Sequence, residues 1–314
     1  MKVLIDRAAL ASNAAYLNSL APSMIPVVKG NFYGHGLDCV TAFALGFEVL
    51  AVHSDREALA LRQLELDNTL LVLGGTDSLM WNTVPVLNAE QVGTYGGRYA
   101  VFADWGCRRI NVKPEQLTHP PALILVHSDD YRVPVSEYDA NEIAQRYNVP
   151  LSMLSVGSSM NVLNQYAPKL KPRVGMALTG YSSDETVNGN LCVAKTVLAR
   201  ICDKLDAGRV FGYGALVPNC ADKFLYSIDV GYYDNLYQSD NNTPVHCPDV
   251  PHAQVTLLTG VAHAISMNHA FVLSDTELPF DSDIELLGPN VRADYLAKLH
   301  GTTTANILRL GNHG

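Results

Sequence analysis

"VVKGNFYGHG", residues 27–36, decides the reading of this chain. Its two valines continue a short apolar run that begins at Ile25, the mark of a buried strand. Lys29 follows at once, and Gly30, Asn31, Gly34 and Gly36 come after it. An amine at the end of a buried strand either snorkels to solvent along its apolar stem or works in a site. A buried lysine is disfavoured as a cation, so its free amine can condense with an aldehyde. The glycines permit a tight turn and close approach of backbone to a ligand. Tyr33 offers a hydroxyl that can donate to a phosphate.

Short apolar runs recur outward from this stretch. Segments 25–28, 48–52, 70–73, 84–87, 122–126, 151–156 and 174–178 read as buried strands, and 99–102 as strand or loop. Helical patterns lie between them. Ser54 and Glu57 make a capping box opening "REALALRQLEL", and 140–147 reads as a second helix. Strand–helix alternation implies a parallel sheet. Seven or eight strands before residue 180 favour a closed barrel over an open sheet. The C-terminal strand ends of such a barrel face its site, and Lys29 falls at one of them.

The texture changes after residue 185. Segments 193–197, 225–230 and 255–258 are alternating or β-branched, and Asp206-Ala207-Gly208 signals a turn. Segment 238–251 is polar and proline-punctuated and reads as a long loop, and 292–300 as a terminal helix. The expected architecture is a TIM-like α/β barrel domain over 1–184 and an all-β domain over 185–314. The polar stretch "SSDETVNG", 182–189, marks the boundary.

Composition narrows the function classes. Hydrophobic residues are 48% of the 314 and charged residues 17%, enough apolar mass for a large core. The formal charge of −9, without a basic block, argues against a nucleic-acid partner. The six cysteines have no CxxC spacing and read as scattered reduced thiols, so neither a metal site nor a disulfide framework is expected. "MKVLIDRAAL" is broken by Asp6 and Arg7 and does not read as a signal peptide. No apolar stretch approaches the ~20 residues of a membrane span. The reading is a cytoplasmic protein without a membrane partner.

At this point the chain resembles a known family. "VVKGNFYGHG" is similar to VVKANAYGHG, the motif by which alanine racemases attach pyridoxal 5'-phosphate (PLP). "RVGMALTGY" from Arg173 resembles their RPGIALYG, and "DAGRVFGYG" from Asp206 their KxGExVSYG turn. "DVGYYDNLY" from Asp229 resembles GYADGY, and "SMNHAFV" from Ser266 resembles CMDQTMV. The matches run in family order and span nearly the whole chain.

The resemblance implies a PLP-dependent, fold-type III amino-acid racemase, with alanine as the default substrate. It implies a barrel that holds the cofactor and a β domain that takes in residues 2–5. It further implies a head-to-tail homodimer whose active sites are built from both subunits. Lys29 would carry the cofactor and act as one acid–base group, and Tyr213, from across the dimer, would be the other. Racemisation needs a proton taken from one face of Cα and returned on the opposite face, which two bases supply. Arg173 would face the pyridine nitrogen. An arginine cannot surrender its proton, so that nitrogen would stay unprotonated, which suits a racemase. Tyr33, Ser158 and the N–H groups near Gly175 and Met176 would hold the phosphate. Arg132, Tyr232 and Met267 would face the substrate.

The chain departs from the family pattern in places. The KVDTGM segment reads Leu125-Val126-His127-Ser128-Asp129-Asp130, so Leu125 replaces a lysine that is often carbamylated. Asn268 replaces an aspartate, and 154–157 offers no clear match to the histidine near the cofactor ring. The terminal "TTTANILRLGNHG" lacks a phosphate-binding tyrosine. Two other readings stay open: a lyase or decarboxylase of the same fold acting on another amino acid, and a degenerate, non-catalytic PLP-binding protein. The first usually carries an acid where Arg173 stands. The second is commonly a barrel alone, without a β domain or Tyr213.

Overall fold

The computed structural model describes residues 1–75, 81–106, 111–128, 135–165, 170–182, 189–206, 210–215 and 222–312. They form two compact units: Arg7–Cys192, and Met1–Asp6 together with Val193–Gly314. The first strand, β1 (Lys2–Ile5), belongs to the second unit.

The first unit follows with β2 (Ile25–Pro26), β3 (Val49–Val52), β4 (Thr69–Val72), β5 (Thr83–Pro85), β6 (Ala100–Ala103), β7 (Asn111–Val112), β8 (Leu123–Val126), β9 (Leu154–Val156) and β10 (Arg173–Val174). Their pairings are parallel throughout. β3, β4 and β5 are neighbours, as are β6, β8 and β9, with β7 added beside β6. Single bridges join the pieces, Val27 to Ala51 and Val86 to Ala100. β10 pairs with β2, Arg173 opposite Ile25. The Arg173 N–H donates to the Gly157 carbonyl at 3.3 Å, and the Val156 N–H to that of Leu170 at 2.8 Å. The wall so returns on itself as a closed parallel barrel, as the sequence implied.

Strand alternation builds its two layers. Ala100, Phe102, Leu123 and Leu125 join Ile25, Val27, Ala51 and Leu71 in one buried cluster. Val101, Ala103, Ile124 and Val126 face the other way, onto Ala140, Ile143 and Ala144 of the helix Glu137–Arg146. That helix opens on Ser136, whose Oγ accepts from the Asp139 N–H at 3.1 Å.

Several boundaries differ from the sequence reading. The expected strand 174–178 stops at Val174, because Gly175 (φ −120°, ψ −81°) turns the chain into the 3-10 segment Met176–Thr179. Residues Leu151–Met153, after Pro150, are a 3-10 turn and not strand. β2 spans only Ile25–Pro26, although Val27 still bridges Ala51 and its N–H donates to the Val174 carbonyl at 2.7 Å. The doubtful 99–102 is strand from Ala100.

The second unit adds β11 (Lys195–Leu205), β12 (Phe224–Ile228), β13 (Thr243–Val245), β14 (Val255–Leu257), β15 (Ala270–Ser274) and β16 (Asp283–Leu287). With β1 they form one sheet in the order β1-β11-β12-β15-β14-β13, with β16 also on β11. Every pairing in it is antiparallel. Strand β13 corrects the long-loop reading of 238–251. Thr243 and Val245 are buried while Pro244 faces out, at the end of the sheet path where a missing donor is tolerated. The helix Ala293–Leu299 follows. Among the described residues no helix is long and apolar enough to cross a membrane.

Candidate active site at the barrel strand ends

Lys29 opens an unusual turn. Gly30, Asn31, Phe32 and Tyr33 all have φ between +50° and +67° and ψ between +36° and +55°, a full turn of left-handed helix. A left-handed turn costs roughly 1–2 kcal/mol per L-residue, so Asn31, Phe32 and Tyr33 together cost about 3–6 kcal/mol. Local packing offsets this. Phe32 is fully buried against Phe43, ring centroids 5.6 Å apart, worth about 1.5–3 kcal/mol. The N–H groups of Gly30 and Asn31 donate to the Glu57 carboxylate at 2.6 and 3.2 Å. Charge-assisted bonds of this kind contribute about 1.5–3 kcal/mol each. Asn31 Oδ1 also accepts from the Leu37 N–H at 3.1 Å.

The turn carries Tyr33 across to β10. Its phenol lies so close to Gly175 that a Cβ there would sit 2.1 Å from the Tyr33 Oη. Only glycine fits under that ring. Burial, and secondarily the Glu57 charge, push the Tyr33 hydroxyl up to about 12, so it is a neutral donor across the physiological range. The N–H groups of Gly175 and Met176 stand at the start of the Met176–Thr179 turn, where backbone donors lack helical partners. Ser158 is the N-cap of the segment Ser159–Leu163, and its own N–H donates to Asn161 Oδ1 at 3.2 Å. A neutral phenol over a glycine cradle, the Ser158 hydroxyl at a helix start and the amides that open the Met176–Thr179 turn make a donor set that fits a phosphate.

Arg173 is buried, 7% exposed. One of its guanidinium nitrogens donates to the Ser155 carbonyl and to Ser155 Oγ, both at 2.7 Å, and the other to the Val126 carbonyl at 2.9 Å. The Ser155 hydroxyl donates in turn to the Lys171 carbonyl at 2.7 Å. Sequence reasoning missed Ser155. It lies in the segment where the family histidine had no match, and a serine carries no signal by itself. Leu125 is fully buried in the cluster with Val27, Ala51 and Phe102, so apolar packing fills its position. Arg132 lies outside the described residues.

The remaining sequence-derived residues lie in the second unit and share one loop system. Tyr213 tops the turn between Phe211 and Ala215, with Gly212 at φ 54° and Gly214 at φ 102°. Its N–H donates to the His263 carbonyl at 3.0 Å. The N–H groups of Tyr232 and Tyr233 donate to the carbonyls of Ser266 and Met267, both at 3.0 Å. Segment 263–267 therefore ties Tyr213, Tyr232 and Met267 together. Their side chains stand out from the surface, 62%, 40% and 54% exposed. Among the described residues no group of three or more His, Cys, Asp or Glu could hold a metal.

Comparison with known proteins agrees with this geometry. Residues 5–92 match the family model described as "Alanine racemase, N-terminal domain". The chain is 23% identical to a lysine racemase of Oenococcus oeni, over 91% of this chain and 88% of that protein. It is 26% identical to an alanine racemase of Aeromonas hydrophila, over 77% and 78%. Its fold superposes on the biosynthetic alanine racemase of Pseudomonas aeruginosa with a TM-score of 0.81 and 22% identity, covering 98% and 96% of the two chains. The alanine racemase of Acinetobacter baumannii gives 0.79 at 22% identity over the same shares. The chain is thus similar to the alanine racemases in its N-terminal sequence and in its whole fold, at a divergent level of identity.

Proposed function

We propose that this protein is a PLP-dependent amino-acid racemase with Lys29 and Tyr213 as its two bases. The observation that carries the reading is the Tyr33–Gly175 cradle, placed four residues after Lys29 by one left-handed turn. Tyr33, Ser158, Gly175 and Met176 would hold the phosphate, and Lys29 would carry the cofactor covalently. When bound, PLP supplies the electron sink that makes the substrate α-proton removable. Arg173, locked by Ser155 and Val126, is a permanent cation that donates and never gives up its proton. It keeps that sink modest, which favours reprotonation over loss of a carbon fragment. Its presence also argues against the lyase and decarboxylase readings.

Tyr213 would reach the opposite face of the substrate from a second copy of the chain, in a homodimer that covers its exposed loop. Tyr232 and Met267 would flank it at the entrance, together with Arg132. Alanine is the default substrate. The likeness to a lysine racemase makes lysine the first alternative to test.

Two measurements decide this. Purified protein should take up PLP with a new near-visible absorbance band, and Lys29→Ala should lack it. In deuterated water, L- and D-alanine should each exchange their α-proton with inversion, and lysine should be assayed beside them. A protein that takes up no PLP refutes the reading. One that takes it up but exchanges no amino acid is a non-catalytic binder.

A further inference from the structure

The Ser54–Glu57 pair, which reads in sequence as the cap of one helix, has a second task in the structure. Half of the capping box forms: the Glu57 N–H donates to Ser54 Oγ at 3.5 Å, opening the helix Asp55–Gln63. The Glu57 carboxylate does not close the other half. One oxygen accepts from the His53 N–H at 2.7 Å, just past the end of β3. The other accepts from the N–H groups of Gly30 at 2.6 Å and Asn31 at 3.2 Å. Consecutive backbone N–H groups of a tightly turned segment converge into an anion-binding concavity. Here a carboxylate of the same chain fills it.

We propose that Glu57 is a positioning residue for Lys29: its carboxylate, fixed at the end of β3, clamps the two peptide N–H groups that follow Lys29 and holds the left-handed turn. The turn sets the backbone from which the Lys29 side chain leaves, and it carries Tyr33 to Gly175. Without the clamp, Asn31 to Tyr33 lose a restraint that opposes return to ordinary right-handed torsions. Lys29 and Tyr33 then lose their fixed relation to each other. The inference rests on Lys29 as the cofactor-attaching lysine, and its test has one arm that needs no cofactor.

That arm is hydrogen–deuterium exchange of the peptide covering 29–36 in the apoprotein. Glu57→Ala should speed it. The second arm is PLP affinity by absorbance titration, which should weaken by about tenfold or more as two charge-assisted bonds are lost. Glu57→Gln retains an oxygen that can accept from Gly30 and Asn31, and should recover most of the affinity. Ser54→Ala removes the helix cap but keeps the carboxylate. It should loosen the start of the helix Asp55–Gln63 and leave both the 29–36 exchange and the PLP affinity unchanged. If Glu57→Ala does not fold, Glu57→Asp, one methylene shorter, replaces it with the same expected direction.

Unchanged exchange over 29–36 in Glu57→Ala, or a loss of affinity in Ser54→Ala as large as in Glu57→Ala, overturns the proposal. If the wild-type protein takes up no PLP, the cofactor reading fails by itself. The exchange arm then decides the clamp alone: faster exchange supports it and unchanged exchange sinks it.

Discussion

The two regions that carry the candidate residues are built in opposite ways. At the barrel strand ends, Arg173 is buried and Tyr33 is pressed over Gly175, with every guanidinium bond to Ser155 and Val126 at 2.9 Å or less. In the sheet domain, Tyr213, Tyr232 and Met267 are tied by backbone hydrogen bonds, but their side chains stand in solvent. The first region is organised before any ligand arrives. The second has the chemistry of a site without its enclosure. A side chain proposed to meet a substrate needs an enclosed site around it, which a surface turn alone does not supply. The difference favours a site completed by a second subunit.

The strongest way to break this contrast is complementation. Lys29→Ala and Tyr213→Phe should each lower racemisation steeply, Lys29→Ala by about 10³-fold or more and Tyr213→Phe by about 10²-fold, the latter unequally for the two enantiomers. Mixed and re-equilibrated, the two inactive proteins should regain roughly a quarter of wild-type activity, because half the dimers are mixed and each holds one intact site. No recovery would mean that both residues serve within one chain. Next in size, Gly175→Ala forces a Cβ into the Tyr33 hydroxyl and should weaken PLP binding by about ten- to a hundredfold, the cost of overpacking a tight contact. Normal affinity in that variant would show that the cradle yields.

Ser155→Ala removes the hydroxyl that links Arg173 to the Lys171 carbonyl. PLP affinity should fall by roughly tenfold, the low end of the worth of one charged hydrogen bond, with Tyr213-dependent steps untouched. The last test belongs to the sheet domain and reads stability, not binding. Lys195 has no exposure, and its Nζ donates to the Leu308 carbonyl at 2.8 Å. Burial lowers its pKa from 10.5 to about 8. Between those values the unfolded chain binds the proton and the folded one does not, so stability rises with pH across that window. Against a Lys195→Met control, wild-type stability should climb by about 1–3 kcal/mol from pH 8 to 10.5. A flat difference in denaturant melts would mean that the amine stays charged inside the fold.

Parts of this were legible in the sequence. The apolar runs gave the barrel strands to within a few residues, because buried parallel strands need little besides β-branched and aliphatic side chains. The lysine motif marked the strand end and the tight turn by its glycines. The left-handed turn could not be read: Phe32 and Tyr33 do not prefer that conformation, and packing on Phe43 together with the Glu57 carboxylate, 26 residues from Asn31, holds it. Glu57 was legible by half: its N–H meets the Ser54 cap as the spacing implies, while its carboxylate answers a distant turn. Strand β13 hid behind Pro244, which marks a loop in most contexts.

The pairing of β1 with β11 has a consequence for how the chain is made. Lys2 lies opposite Leu198 and Ile5 opposite Lys195, so the whole barrel is an insertion between two neighbouring strands of one sheet. A ribosome delivers β1 first and its partner some 190 residues later. The barrel can close on its own contacts in that interval, whereas the sheet domain waits with an unpaired strand at its head. Folding from the N-terminus therefore completes the half that bears Lys29 before the half that bears Tyr213.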